Sequence, residues 1–313
     1  MGVYLVTGGA GFIGSNLIAK LLNQGHVVHA LDLQQAPKEL AHPKLIWFQG
    51  DLLDSTVVNS SIQGVDAVVH LAAQTSVPIS MAHPEMTHEV NVRGTEILIR
   101  HCQHHGVQRL LTASSAAVYG DHEQLPLKEE KAGILLSPYA ESKWTNEKQL
   151  LEAKKGGMDT IAMRFFNVYG NHVSLGKKVG GVIGAFIQAM MTCSPLQIHG
   201  DGKQTRDFVH VRDVADAILS LLALERVYTE HAVNICSGTQ TSLLELVNVI
   251  EQELVHQNRL SEPVSPLFSE PLAGDIQHSL GSPSLLQSLV DWHPQYTLQE
   301  GIEDIINTLE ERP

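Results

Sequence analysis

The sequence predicts an α/β fold: a doubly wound parallel sheet followed by a smaller C-terminal lobe. Three observations lead there. Short β-branched runs alternate with amphipathic helical patterns over the first half of the 313 residues. Those runs are apolar almost throughout, as in parallel strands covered on both faces, and do not alternate as half-exposed strands do. The alternation then breaks near residue 166. Strand–helix alternation with buried strands is the pattern of a doubly wound sheet.

Taken in order, "VYLVTGG" (3–9), "HVVHALDL" (26–33), "KLIWFQGD" (44–51), "VDAVVHLAA" (65–73), "RLLTASS" (109–115) and "TIAMRFFNVYG" (160–170) read as strands. Helical patterns lie between them at about 12–24, 85–105 and 138–155. Further on, "VGGVIGAFIQAMM" (179–191) reads as a helix and "DFVHVRDVADAILSLLAL" (207–224) as a strand running into a helix. "AVNICSG" (232–238) is a strand, "SLLELVNVIEQEL" (242–254) a helix, and the Pro/Ser-rich 257–274 a loop. The tail "TLQEGIEDIINTLEE" (297–311) is an amphipathic helix with Thr297 at its N-cap. No internal repeat is seen. Residues 1–165, continued by about 208–235, are expected to form a nucleotide-binding domain. Residues 166–207 and 236–313 are expected to form a lobe over the carboxyl ends of the strands, where such sheets bind ligands.

Composition narrows the partners. The net charge is −13, from 21 Lys+Arg against 34 Asp+Glu, and no basic run occurs. Nucleic acid and anionic membranes are therefore not expected as partners. The three cysteines, Cys102, Cys193 and Cys236, are scattered and odd in number, which fits a reducing, cytoplasmic compartment. The opening "MGVYLVTGG" is not expected to act as a signal peptide, and no run is long enough to span a bilayer. The histidines of "HCQHH" (101–105) fall late in a helical pattern and read as a solvated helix end; no metal is expected.

"TGGAGFIG" places Gly8, Gly11 and Gly14 between the first strand and the first helix. Glycine there permits a tight turn, close approach of a pyrophosphate and close helix–sheet contact. The pyrophosphate would meet the free N–H groups of the helix N-terminus. Asp32 ends the second strand, where its carboxylate would accept from a ribose diol and repel a 2′-phosphate, favouring NAD over NADP. Asp51, in "GDLLD", is a candidate partner for the adenine amino group. Together these make the sheet Rossmann-like. "SPYAESK" sets Tyr139 and Lys143 four residues apart, on one face of a helix. A free tyrosine has a pKa near 10; a neighbouring cation stabilises its phenolate and would make Tyr139 a base.

The glycine motif, "HLAA" (70–73), "NVRGT" (91–95), "SSAAVYG" (114–120), Tyr-x-x-x-Lys, "RFFNVYG" (164–170) and "GDGKQTRDFVHVRDVADA" (200–217) occur in one order. In this set the chain resembles the extended short-chain dehydrogenases/reductases, specifically their nucleotide-sugar epimerases and dehydratases, over nearly its whole length. The resemblance implies NAD contacts from Phe12 and Ile13 beside the glycines, from Asp32, Asp51 and Leu52, from Leu71, Ala72 and Ala73, and from Tyr139 and Lys143. Lys143 would lower the tyrosine pKa and hold the nicotinamide ribose. It implies that Ser115 assists the proton; Ser114 stands beside it, and the choice between them rests on the resemblance.

Similar dehydratases and decarboxylases carry an acid just before "VYG". Here stand Ala116 and Ala117, which supply neither acid nor base. A 4-epimerase is what remains: the C4 hydroxyl is oxidised, the 4-keto sugar turns, and hydride returns to its other face. A nucleotide-sugar reductase, dehydrogenase or dehydratase is the alternative, and a non-catalytic dinucleotide sensor the alternative of another class. On the substrate side the resemblance implies Asn167 on the sugar or diphosphate, Arg206 on the diphosphate, His199 in place of an aromatic on the uracil, Asp275 on the nucleotide ribose, and Val182 in the substrate site. A guanidinium suits a phosphate by its two-pronged geometry. Leu272 stands where a second phosphate-binding arginine is usual. Ser279 is small where a bulky residue would restrict the sugar pocket, which points to UDP-N-acetylhexosamines or their uronic acids. The resemblance further implies a homodimer built on helices 85–105 and 138–155.

Overall fold

The computed structural model describes residues 1–131, 133, 135–173, 180–225, 227–228, 231–260, 262–271 and 276–310. Leu272 and Asp275 lie outside them. The elements run β1 (Val3–Thr7), α1 (Phe12–Asn23), β2 (Val27–Asp32), β3 (Leu45–Gln49), α2 (Ser55–Ile62), β4 (Ala67–His70), α3 (Val77–Ala82), α4 (Pro84–His88), α5 (Gly94–His105), β5 (Arg109–Ser115), α6 (Pro138–Lys155) and β6 (Asp159–Phe165). There follow β7 (Asn167–Tyr169), α7 (Gly181–Met191), β8 (Gln197–His199), β9 (Thr205–His210), α8 (Val211–Leu222), β10 (Ala232–Ile235), β11 (Gln240–Ser242), α9 (Leu243–His256), β12 (Leu267–Ser269), α10 (Ser284–Leu289) and α11 (Leu298–Glu310).

Seven strands form one parallel sheet in the order β10-β6-β5-β4-β1-β2-β3. The direction of winding reverses between β1 and β4, the point at whose carboxyl ends such sheets bind ligands. The apolar runs are explained by burial on both faces. Successive side chains of a strand point to opposite sides, so Leu5 and Val68 pack with Val58, Leu98 and Leu150 under α2, α5 and α6. Val6 and Val69 pack with Leu17, Ile18, Val214 and Ile218 under α1 and α8. A separate apolar cluster unites Ile183, Phe186, Phe208, Leu246, Ile250, Ile302 and Ile305 from β9, α7, α9 and α11.

Several elements differ from the sequence reading. The strand expected over 160–170 is broken at Phe166: β6 stays in the large sheet, and β7 pairs with β9 in a three-stranded sheet. Residues 257–274 contain β12, which pairs in parallel with β8. The helix expected over 85–105 is interrupted by a π turn at Glu89–Arg93. Within it, the Asn91 carbonyl accepts from Thr95 Oγ1 (2.6 Å) and Asn146 Nδ2 (2.8 Å). The "HCQHH" histidines are not simply solvated. His101 Nε2 meets Ser55 Oγ at 2.7 Å and His105 Nε2 meets Asn59 Oδ1 at 2.8 Å, fastening α2 to α5. Among the described residues no group of His, Cys, Asp or Glu is placed to hold a metal ion, and no helix is long and apolar enough to cross a membrane. Thr297 caps α11 as expected: its Oγ1 accepts from the Glu300 N–H at 3.2 Å.

Candidate active site

The glycine turn leaves β1 and enters α1 with no room for side chains. Gly8 has φ +71°, and a Cβ on it would stand 2.8 Å from the Ala72 backbone nitrogen. A Cβ on Gly14 would lie 2.1 Å from the Gly8 carbonyl oxygen. Gly11 is the N-cap of α1 and no side chain caps the first turn, so the N–H groups behind Phe12 and Ile13 keep their bonding capacity for an anion. Asp32 ends β2 beside this turn. One carboxylate oxygen accepts from the Ala10 N–H (3.0 Å) and the other from Gln34 N–H (2.9 Å), so the side chain is held in place at the strand end. Asp51 is exposed and accepts from the Leu53 N–H at 2.9 Å, while Leu52 is buried against Gly94. This cradle and acid fit a dinucleotide: backbone donors for a pyrophosphate and a carboxylate for a ribose.

A buried relay behind the turn was not foreseen. The Thr95 hydroxyl donates to Asn91 O, so it must accept from His70 Nε2–H (3.0 Å). His70 Nδ1 then accepts from the Thr7 hydroxyl at 2.7 Å. Thr7 Oγ1 in turn accepts from the N–H groups of Leu71 and Ala72, fixing the β4 end and Ala73 beyond it against the glycine turn. Burial, then the Lys143 charge, push the His70 pKa down to about 3, so the ring is neutral. Asn91 extends the relay to α6: its Nδ2 donates to Ser142 Oγ at 2.9 Å, and Ser142 donates to the Tyr139 carbonyl at 2.7 Å. "HLAA" and "NVRGT" held His70, Asn91 and Thr95, but spacing alone gave them no partners.

Ser115, Tyr139 and Lys143 are brought together at the carboxyl end of β5. Ser137 caps α6 by accepting from the Ala140 N–H at 3.1 Å, and Pro138 follows at the first helical position. Ser115 Oγ accepts from the Ala117 N–H at 3.2 Å, and its side chain is near enough to Tyr139 to favour the phenolate. Ser114 is engaged elsewhere: it donates to the buried Glu147 at 2.5 Å. One expectation fails in the chain itself. Lys143 does not lower the Tyr139 pKa. Its Nζ lies 5.9 Å from the Tyr139 ring centroid and donates to the Ala113 carbonyl at 2.9 Å. Burial raises the tyrosine above its ordinary value, and Ser115 only partly opposes this. Lys143 is itself pushed down to about 8 by burial.

The substrate-side residues lie on the later elements. Asn167 is exposed on β7 and Val182 half-buried in the first turn of α7. His199 ends β8, where its Nδ1 meets Ser269 Oγ at 2.9 Å. It lines a cavity of about 530 Å³ with Gly200, Gln204, Phe268, Ser269 and Gln277, which includes none of the Ser115–Tyr139–Lys143 group. Arg206 is half-buried on β9, its Nη1 donating to the Thr205 carbonyl at 2.9 Å. Its neighbour Asp207 is wholly buried and accepts from the N–H groups of Ser237, Gly238 and Gly281. Ser279, buried, donates its N–H to Thr205 O at 3.1 Å, so it stands beside the strand of Arg206.

A parallel sheet of this order, a side-chain-free turn after β1 and a Ser-Tyr-Lys group at the end of β5 define the short-chain dehydrogenase/reductase class. Within it, the chain belongs to the NAD dependent epimerase/dehydratase family, whose model matches residues 4–236. A putative UDP-glucose 4-epimerase from Methanocaldococcus jannaschii is 34% identical over 307 residues, covering 97% of each chain. Among solved structures, a UDP-glucose 4-epimerase from Thermotoga maritima with UDP-glucose superposes with a TM-score of 0.88 at 28% identity, covering 99% of both chains. A UDP-N-acetylglucosamine 4-epimerase from Methanobrevibacter ruminantium, in complex with UDP-N-acetylmuramic acid, superposes with a TM-score of 0.87 at 29% identity over 98% of this chain and 99% of that one.

Proposed function

We propose that the chain is an NAD-dependent UDP-sugar 4-epimerase. The observation that carries the reading is the junction of β5 and α6, with Ser115 beside Tyr139, Lys143 one turn on, and only Ala116 and Ala117 where a second acid or base would stand. Gly8, Gly11 and Gly14 with Phe12 and Ile13 would hold the pyrophosphate; Asp32 and Asp51 the adenosine; Leu52, Leu71, Ala72 and Ala73 the remaining wall. Bound NAD supplies the hydride acceptor and donor. Tyr139 takes the proton of the C4 hydroxyl and later returns it, and Ser115 holds the reacting oxygen. Lys143 supplies a donor to the ribose, and the positive charge of bound oxidised NAD, which the chain alone lacks, favours the phenolate. With no other acid or base at Ala116 and Ala117, the 4-keto sugar is not diverted to elimination.

Arg206 and Asn167 hold the diphosphate and sugar, His199 and Asp275 the nucleoside, and Val182 and Ser279 border the sugar. Relatives act on both plain and N-acetylated sugars by name; the small Ser279 favours a UDP-N-acetylhexosamine or its uronic acid. Residues 1–165 with about 208–235 form the cofactor domain, and 166–207 with 236–313 the substrate lobe. The protein is a cytoplasmic homodimer joined through α5 and α6, a point that light scattering checks. The test of function is incubation of the purified protein with UDP-GlcNAc, UDP-GalNAc, their uronic acids, UDP-Glc and UDP-Gal, each without added NAD. A C4 epimer of unchanged mass, read by proton NMR, is expected. Consumption of added NADH with a product two hydrogens heavier would replace the reading with a reductase.

A further inference from the structure

We propose that Glu147 is a positioning residue that, through Ser114, holds Ser115 against Tyr139. The inference rests on the epimerase reading above. Tyr139, Lys143 and Glu147 follow one another at four-residue steps on one face of α6, and all three reach the end of β5. Tyr139 lies beside Ser115, Lys143 Nζ donates to Ala113 O at 2.9 Å, and Glu147 Oε1 accepts from Ser114 Oγ at 2.5 Å. Ser115 is the last residue of β5, and a 3-10 turn (Ala116–Tyr119) begins right after it. It pairs with Phe165 in the sheet and directly follows Ser114, so a displacement of Ser114 reaches it through the chain.

Glu147 is built to be immobile. It is 1% exposed, as is Arg164, which donates to it from Nε (2.9 Å) and Nη2 (2.8 Å). His231 Nε2 stands 2.9 Å from Oε2. Arg164 is pinned in turn by donating from Nη1 to Tyr119 Oη (3.0 Å) and Glu129 O (2.8 Å). Arg164 is the β6 partner of Ser114 in the sheet register, so their side chains leave the same face toward Glu147. A buried ion pair adds little net stability over an apolar pair of the same volume. Its distinct contribution here is direction: it delivers one fixed carboxylate oxygen to Ser114.

The test compares Ser114→Ala, Ser114→Thr, Glu147→Gln and the Ser114→Ala/Glu147→Gln double variant. The Ser114 variants leave the Glu147–Arg164 pair intact and so keep the fold. Ser114→Ala is expected to lower kcat by about 10- to 100-fold, the scale for a misplaced reacting group, with KM, bound NAD per chain and thermal midpoint unchanged. Ser114→Thr, which restores the hydroxyl, recovers kcat. Adding Ser114→Ala to Glu147→Gln costs nothing further. Wild-type kcat in Ser114→Ala, or losses that multiply in the double variant, would overturn the proposal. So would a crystal structure of Ser114→Ala with Ser115 Oγ at its wild-type distance from the Tyr139 hydroxyl, whatever the activity. A wild-type protein inert toward every sugar would instead overturn the epimerase reading, and that crystal structure would still decide the positioning.

Discussion

Lys143→Met should abolish turnover and yet stabilise the fold. The ammonium of Lys143 is 4% exposed, and burial lowers its pKa from 10.5 to about 8. At roughly 1.36 kcal/mol per tenfold change in proton affinity, holding that charge inside costs about 3 kcal/mol at neutral pH. Methionine conserves the volume but forfeits the bond to Ala113 O, a loss of about 1 kcal/mol. The net gain is about 2 kcal/mol, a rise of about 3 °C in thermal midpoint for a chain of this size. The sign with pH is specific. The unfolded chain keeps its proton up to 10.5, whereas the folded protein gives it up near 8. Between those values the wild type gains stability as pH rises, so the advantage of the variant shrinks and then reverses to a deficit of about 1 kcal/mol, the lost bond to Ala113 O. Thermal unfolding of nucleotide-free wild type and variant from pH 7 to 10.5 measures this directly. A variant less stable at pH 7, or a difference that does not change across that window, would refute the buried-charge argument.

Tyr139→Phe should keep the fold and lose roughly 10²- to 10⁴-fold in kcat, the usual scale for a proton-transfer group, as read by the NMR assay. Gly14→Ala puts a Cβ 2.1 Å from the Gly8 carbonyl; the purified variant should carry little NAD, measured by absorbance of the released nucleotide. His70 is neutral in the fold, its pKa pushed from 6.5 to about 3. The unfolded chain takes up a proton as pH falls through 6.5, so stability declines from there toward pH 3, and His70→Gln should flatten that part of the acid profile in denaturant titrations. Ser279→Tyr should depress turnover of UDP-N-acetylhexosamines relative to UDP-glucose, compared at subsaturating substrate.

The parts legible in the sequence are those that local spacing dictates. The glycine turn, Asp32 at its strand end and the Tyr139–Lys143 step each depend on residues within one turn or one strand. The π turn at Glu89–Arg93 was hidden because the apolar pattern runs on through it. Strand β12 pairs with a strand some 70 positions earlier, a partner that a Pro/Ser-rich segment does not announce. The engagement of Ser114 by Glu147, 33 residues away, is likewise out of reach of local spacing. Helical spacing placed Lys143 on the face of Tyr139, but could not say that burial would outweigh its charge and direct its Nζ to Ala113 O. Thr7 and His70 meet across 63 residues, so their relay is a property of the folded sheet.

The most direct test of the mechanism follows the hydrogen at C4. A UDP-hexose or UDP-N-acetylhexosamine that the enzyme accepts is prepared with deuterium at C4 and incubated in ordinary water without added NAD. The account requires the epimer to keep its deuterium at C4, because that atom leaves and returns within one closed site while Tyr139 handles only the hydroxyl proton. An epimer that has exchanged its C4 deuterium for solvent hydrogen would contradict it.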